Sequence, residues 1–142
     1  MVPEFELFDL GHVAGLHRLL DRYGLPHGGK VHVDFVMGVP GGMPGTAAAL
    51  VAGVAALPEA VTSWSATGIG RSTLSVMLAS LAQGGHLRVG MEDVLTISRG
   101  VPVESNRQLV DRAVEAGRLA QRAPMTTGEA RDLLGITGTA GG

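Results

Sequence analysis

Apolar and polar residues change period along this chain, and the changes mark out its elements. Glu4, Phe5, Glu6, Leu7 and Phe8 alternate, which predicts a short strand. Residues 11–23 place apolar side chains at Val13, Leu16, Leu19 and Leu20, a helical spacing, and Gly24 closes that segment. A run rich in Val and Phe at 31–37 predicts a second strand, followed by an Ala-rich helix at 46–57. Residues 62–66 predict a third strand, 72–83 a third helix and 86–89 a short fourth strand. A helix is predicted over 102–121, with Pro102 suited to its first turn. Thr126 and Glu129 have capping-box spacing and start a last short helix at 130–134. The small-residue tail, 137–142, is expected to be disordered.

Strand and helix therefore alternate four times. That order implies an α/β fold in which helical crossovers join parallel strands. Four βα units over residues 1–136 suit either an open doubly wound sheet or half of a (β/α)8 barrel. Polar residues inside the strands bear on the choice. Strand side chains alternate in direction, so Glu4 and Glu6 share one face and Phe5 and Leu7 the other. His86 and Arg88 likewise share a face opposite Leu87 and Val89. In a barrel the apolar faces meet the outer helices and the charged pairs point inward. Buried charges are costly unless paired or bound to metal, so these four residues are either a structural ion-pair set or a site.

Composition narrows the chemistry. The chain has 142 residues, a net charge of -2 and no basic cluster of the kind that neutralises phosphates, so nucleic acid is not an expected partner. No apolar run is long enough to span a membrane. Met1, Val2, Pro3 and Glu4 carry no export signal, and a cytoplasmic location is expected. There is no Cys, which excludes thiolate nucleophiles and Cys-type zinc sites. Lys30, the one Lys, lies before the second strand and is poorly placed for an imine.

Ligands in parallel α/β folds bind at the C-terminal ends of strands. Glu92 and Asp93 follow the fourth strand there. They suit one metal ligand and one general base, or a helix cap beside a solvated acid. Gly68, Ile69, Gly70 and Arg71 follow the third strand and run into a helix N-terminus, a natural anion site or simply a tight turn. On these residues alone a phosphate- or nucleotide-binding α/β module remains an alternative, as does a non-catalytic structural half-barrel.

The combination of Pro3-Glu4-x-Glu6, Gly38-Val39-Pro40-Gly41-Gly42-Met43-Pro44, Trp64-Ser65 with Gly68-Ile69-Gly70-Arg71, Gly84-Gly85-His86-x-Arg88-Val89-Gly90-x-Glu92-Asp93, and Ser105-Asn106 resembles the β-keto acid cleavage enzymes. That family is typified by 3-keto-5-aminohexanoate cleavage enzymes. The resemblance covers residues 2–136 and implies the C-terminal half of a (β/α)8 barrel. It implies a zinc-dependent reaction in which a β-keto acid and acetyl-CoA give acetoacetate and a new acyl-CoA. By that resemblance Glu92 is a metal ligand, Asp93 the general base and Arg88 the group that handles charge developing on the substrate. By the same resemblance Glu4 or Glu6 pairs with Arg88, while the anion-site reading of Gly68, Gly70 and Arg71 makes them the expected cofactor-binding residues. The family's His-x-His metal ligands have no counterpart among His12, His17, His27, His32 and His86. The chain is therefore expected to be inactive alone, and to work as a homo-oligomer or with a missing N-terminal half.

Overall fold

A computed structural model describes residues 2–136; the tail expected at 137–142 lies outside them. Four strands form one parallel sheet in the order β1 (Glu4–Leu7), β2 (His32–Met37), β3 (Ser63–Gly68) and β4 (His86–Leu87). The crossovers are α1 (Leu10–Tyr23), α2 (Ala47–Ala55) and α3 (Thr73–Ala82). A small antiparallel hairpin, β5 (Thr96–Ser98) with β6 (Val101–Pro102), precedes α4 (Asn106–Leu119) and α5 (Thr127–Leu134). The fold is α/β, and four consecutive βα units on a parallel sheet fit half of an eight-stranded barrel.

Local chemistry explains most boundaries. The Asp9, Thr46 and Ser105 side chains each accept an N-terminal N–H of the helix they precede. Thr126 and Glu129 form the predicted capping box. Gly24 ends α1 with φ at 74°, a conformation that costs glycine little. The expected helix at 102–121 starts later than its pattern suggested. Pro102 lies in β6, and Ser105 is the cap. The fourth strand is shorter than the expected 86–89, because the chain turns at Gly90, whose carbonyl accepts the N–H of Asp93 and of Val94.

Register sorts the side chains cleanly by face. Glu4 lies beside His32 and His32 beside Ser63. Glu6 lies beside Asp34, Asp34 beside Ser65 and Ser65 beside His86. One face thus carries lateral rows of polar residues. The other carries Leu7, Val33, Phe35, Met37 and Ala66, which join Val13 and Leu16 of α1, Leu50 of α2 and Val76 of α3 in the main core. α4 extends the apolar layer, with Ala116 packing beside Met77 and Leu81 of α3. Burial of these side chains is the main favourable term in folding, and it leaves the polar face free to carry chemistry.

Candidate active site

Arg88 is the centre of the polar face. It leaves the sheet just beyond β4, and its guanidinium faces four carboxylates. Nη2 donates to Glu92 Oε1 at 3.1 Å. Nη1 lies 3.8 Å from Glu6 Oε1, from Asp34 Oδ2 and from Asp93 Oδ2. Burial works against the charged guanidinium, but Asp93, Asp34, Glu6 and Glu92 outweigh it and raise the Arg88 pKa above its ordinary range.

Asp93 sits in the turn after β4. Its N–H bonds to the Gly90 carbonyl, and its own carbonyl accepts the N–H of Gly70 at 2.7 Å. That second bond ties the turn after β4 to the turn after β3. Asp93 Oδ2 is buried and has no hydrogen-bond partner among the described residues. Burial raises its pKa, Arg88 opposes the rise, and Glu92, Asp34 and Glu6 add to it. Because Ser105 caps α4, Asp93 does not serve as that helix's cap.

Below Arg88 runs a hydrogen-bonded row that links β2 and β3. Asp34 accepts from the Ser65 hydroxyl at 2.6 Å through Oδ1 and from the Thr67 hydroxyl at 2.7 Å through Oδ2. Ser65 gives its proton to Asp34, so it accepts from His32 Nε2, 3.3 Å away. His32 is then the Nε2–H tautomer, and Ser63 donates to its Nδ1 at 2.7 Å. Burial lowers the His32 pKa, against the pull of Asp34.

The two candidate glutamates part company here. Glu6 reaches Arg88, whereas Glu4 Oε2 lies 3.5 Å from His32 Nε2. The Glu4 pKa is raised, first by burial. His86 lines a cavity of about 580 Å³ together with Glu4, His32, Ser65 and Arg88, and residues of α4 and α5 line it as well. Burial, Arg122 and His32 lower its pKa.

Gly68, Gly70 and Arg71 lie at the same strand ends. The chain enters a three-residue 3-10 turn, Gly70–Ser72, before α3. Gly68 is tightly enclosed: a Cβ there would stand 2.6 Å from the Ser72 carbonyl oxygen and 2.7 Å from Thr73 Cα. Arg71 is exposed.

Sequence reasoning passed over Asp34, Ser65 and Thr67 as site residues and treated His32 only as a histidine at the wrong spacing. The available signal was alternation within the apolar run, since His32 and Asp34 interrupt it two residues apart.

Zinc does not fit this donor set alone. Among the described residues no group of three or more His, Asp or Glu side chains is placed to hold a metal ion. Glu92 is one donor and is engaged with Arg88.

The arginine ringed by carboxylates lies at the C-terminal strand ends of a parallel α/β sheet, where ligands bind in such folds. The chain belongs to the β-keto acid cleavage enzyme family, whose model matches residues 1–136. It is 35% identical over 135 residues to a 3-keto-5-aminohexanoate cleavage enzyme of Acetoanaerobium sticklandii, covering 95% of this chain and 48% of that one. A 3-keto-5-aminohexanoate cleavage enzyme of Fusobacterium nucleatum is 34% identical, with 94% and 47% covered. A 3-oxoadipate:acetyl-CoA acetyltransferase of Cupriavidus necator is 32% identical, again with 94% and 47% covered. The chain spans about half the length of these relatives.

Proposed function

We propose that this chain supplies the acid–base half of an active site that cleaves a β-keto acid by retro-Claisen chemistry and passes the acyl group to coenzyme A. The observation that carries this reading is the unpartnered Asp93 Oδ2, buried 3.8 Å from the Arg88 guanidinium. A carboxylate oxygen without a donor keeps a lone pair free for a proton on carbon or oxygen. In this reading Asp93 takes the proton whose loss leaves negative charge on the keto acid. Arg88 receives that charge with its N–H groups, and Glu6 and Glu92 balance the cation between turnovers. The resulting carbanion attacks the thioester carbonyl of acetyl-CoA and expels the CoA thiol; that thiol then attacks the original keto carbonyl, and the C–C bond breaks to give acetoacetate and the new acyl-CoA. The names of three relatives include acetyl-CoA, which supports it as the co-substrate. Arg71, with the turn at Gly68 and Gly70, is assigned to the CoA ester, whose phosphates suit an exposed arginine. Zinc, as the resemblance implies, would take Glu92 with donors from outside this chain.

The test is reconstitution. The chain is co-expressed with the first half of the Acetoanaerobium relative, then given acetyl-CoA and a panel of β-keto acids, and acyl-CoA products are detected by mass spectrometry. Asp93→Asn should lower turnover by roughly 10²–10⁴-fold, the usual contribution of a general base. Reconstituted turnover that survives Asp93→Asn at its normal rate overturns the assignment.

A further inference from the structure

Asp34 is a charged residue on the polar face to which the proposed chemistry gives no task. It is fully buried, at 0% exposure, on the second strand of the sheet. The other three carboxylates around Arg88 differ from it. Glu6 and Glu92 have side chains 45% and 63% exposed, so solvent competes for both, including for the 3.1 Å hydrogen bond that Glu92 accepts from Arg88. Asp93 Oδ2 must stay unpaired to act as a base. Both oxygens of Asp34, in contrast, are fixed by hydroxyl donors from β3, Ser65 on Oδ1 and Thr67 on Oδ2. β2 itself is bonded to a strand on each side.

We infer that Asp34 is a positioning residue, the fixed anion that sets the direction of the Arg88 guanidinium on the polar face. A long side chain that is 35% exposed has many rotamers, and an exposed ion pair does not select one. A buried carboxylate with two fixed oxygens does, because its field has one direction and little solvent screens it. Thr67 Oγ1 and Arg88 Nη1 both approach Asp34 Oδ2, from β3 and from beyond β4, so one oxygen joins the middle of the sheet to its edge. The row continues through Ser65 to His32, which holds the Ser65 hydroxyl toward Asp34. The positioning rests on this geometry; its benefit to catalysis rests on the proposed reading of Arg88.

Nitrogen-15 spectra of the arginine side chains in the full chain test the inference, with the Arg88 signal assigned by its loss in Arg88→Lys. A held guanidinium shows separate Nη signals, and a free one shows a single averaged signal. Separate signals are expected in the unaltered chain and in Glu6→Gln, and averaging in Asp34→Asn, which keeps the shape and removes the charge. Thr67→Val frees Asp34 Oδ2 and serves if Asp34→Asn does not fold; it should broaden the Arg88 signals. Separate signals that persist in Asp34→Asn, or are unchanged in Thr67→Val, overturn the inference. In the reconstituted enzyme Asp34→Asn should lower kcat by about 10²-fold with KM little changed, the cost of a misdirected group. Averaged Arg88 signals in Asp34→Asn, with normal turnover of that variant and of Arg88→Lys, would leave the positioning intact and overturn the reading of Arg88 instead.

Discussion

His32 couples the protonation of the polar face to the stability of the fold. Its pKa is held below the ordinary 6.5, chiefly by burial, so the unfolded chain binds that proton more readily. Stability from this group is complete above pH 6.5 and falls as pH drops from there to the folded value. His86 acts in the same window and direction, since burial, Arg122 and His32 lower its pKa too. Glu4, raised first by burial, acts the other way nearer its ordinary 4.5. Urea midpoints measured in steps just below pH 6.5 should therefore fall with pH, and less steeply in His32→Gln. A flat profile there would contradict the neutral, hydroxyl-bound tautomer. Gly68 offers a second test, because the added Cβ of Gly68→Ala meets backbone of the next turn and not a yielding side chain. Overpacking of this kind costs about 1–3 kcal/mol, and an unchanged urea midpoint would show that the turn has room. Residues at strand ends were legible in the sequence: Arg88, Glu92 and Asp93 stand out where an apolar strand gives way to charge. Asp34 was not, because a Val- and Phe-rich run reads as a strand buried on both sides. The meaning of its one carboxylate depends on Ser65 and Thr67, about thirty residues away.

At the scale of elements, periodicity located the four sheet strands and α1 to α4, because each buries apolar side chains, whereas α5, which has no buried residue, was marked by its capping box. Periodicity failed between β4 and α4. There β5 and β6 are short, largely exposed and paired as strands only with each other, so no burial pattern announces them. The capping signals at Thr126 and Ser105 are local chemistry and survive without tertiary context; Pro102 misled because proline suits a helix start and an exposed strand alike. α2 gives the sharpest stability test. It is nearly all small residues, and Leu50, at 0% exposure, is its one large side chain in the main core. Leu50→Ala should destabilise the chain by about 2–5 kcal/mol in denaturant titration. A loss below about 1 kcal/mol would mean that α2 settles onto the sheet and refills the space.

Among the described residues the sheet has an apolar face covered by helices and a polar face that α4 and α5 cover only in part, around the cavity lined by His86 and Arg88. β1 and β4 are the edges of the sheet among the described residues and have no further strand beyond them. Zinc binding belongs to this scale, because the donors present are incomplete. The chain alone should bind zinc more weakly than micromolar by isothermal titration, and tight binding abolished by Glu92→Gln would reveal a donor set that the fold does not display. Association follows from the same openness. Unpaired strand edges present N–H and C=O groups ready to pair with another chain. Exposed Leu74 and Leu78 on α3, Leu95 just before the hairpin and Val101 within it add apolar surface that association would cover. Against this, two copies meeting face to face would bring Glu4, Glu6 and Asp34 of each together, and like charges resist that approach. Edge pairing avoids the repulsion, since it joins backbone to backbone and leaves the polar faces apart. The purified chain should therefore form dimers or larger assemblies in light scattering, with mass that rises with protein concentration. Added salt should increase the mass, because it screens the carboxylates while leaving the backbone pairing intact. A monodisperse monomer at all concentrations, unfolding in one cooperative step, would show that the two edges are protected without a partner, and the resemblance to half of a barrel would then describe the strand order but not the assembly.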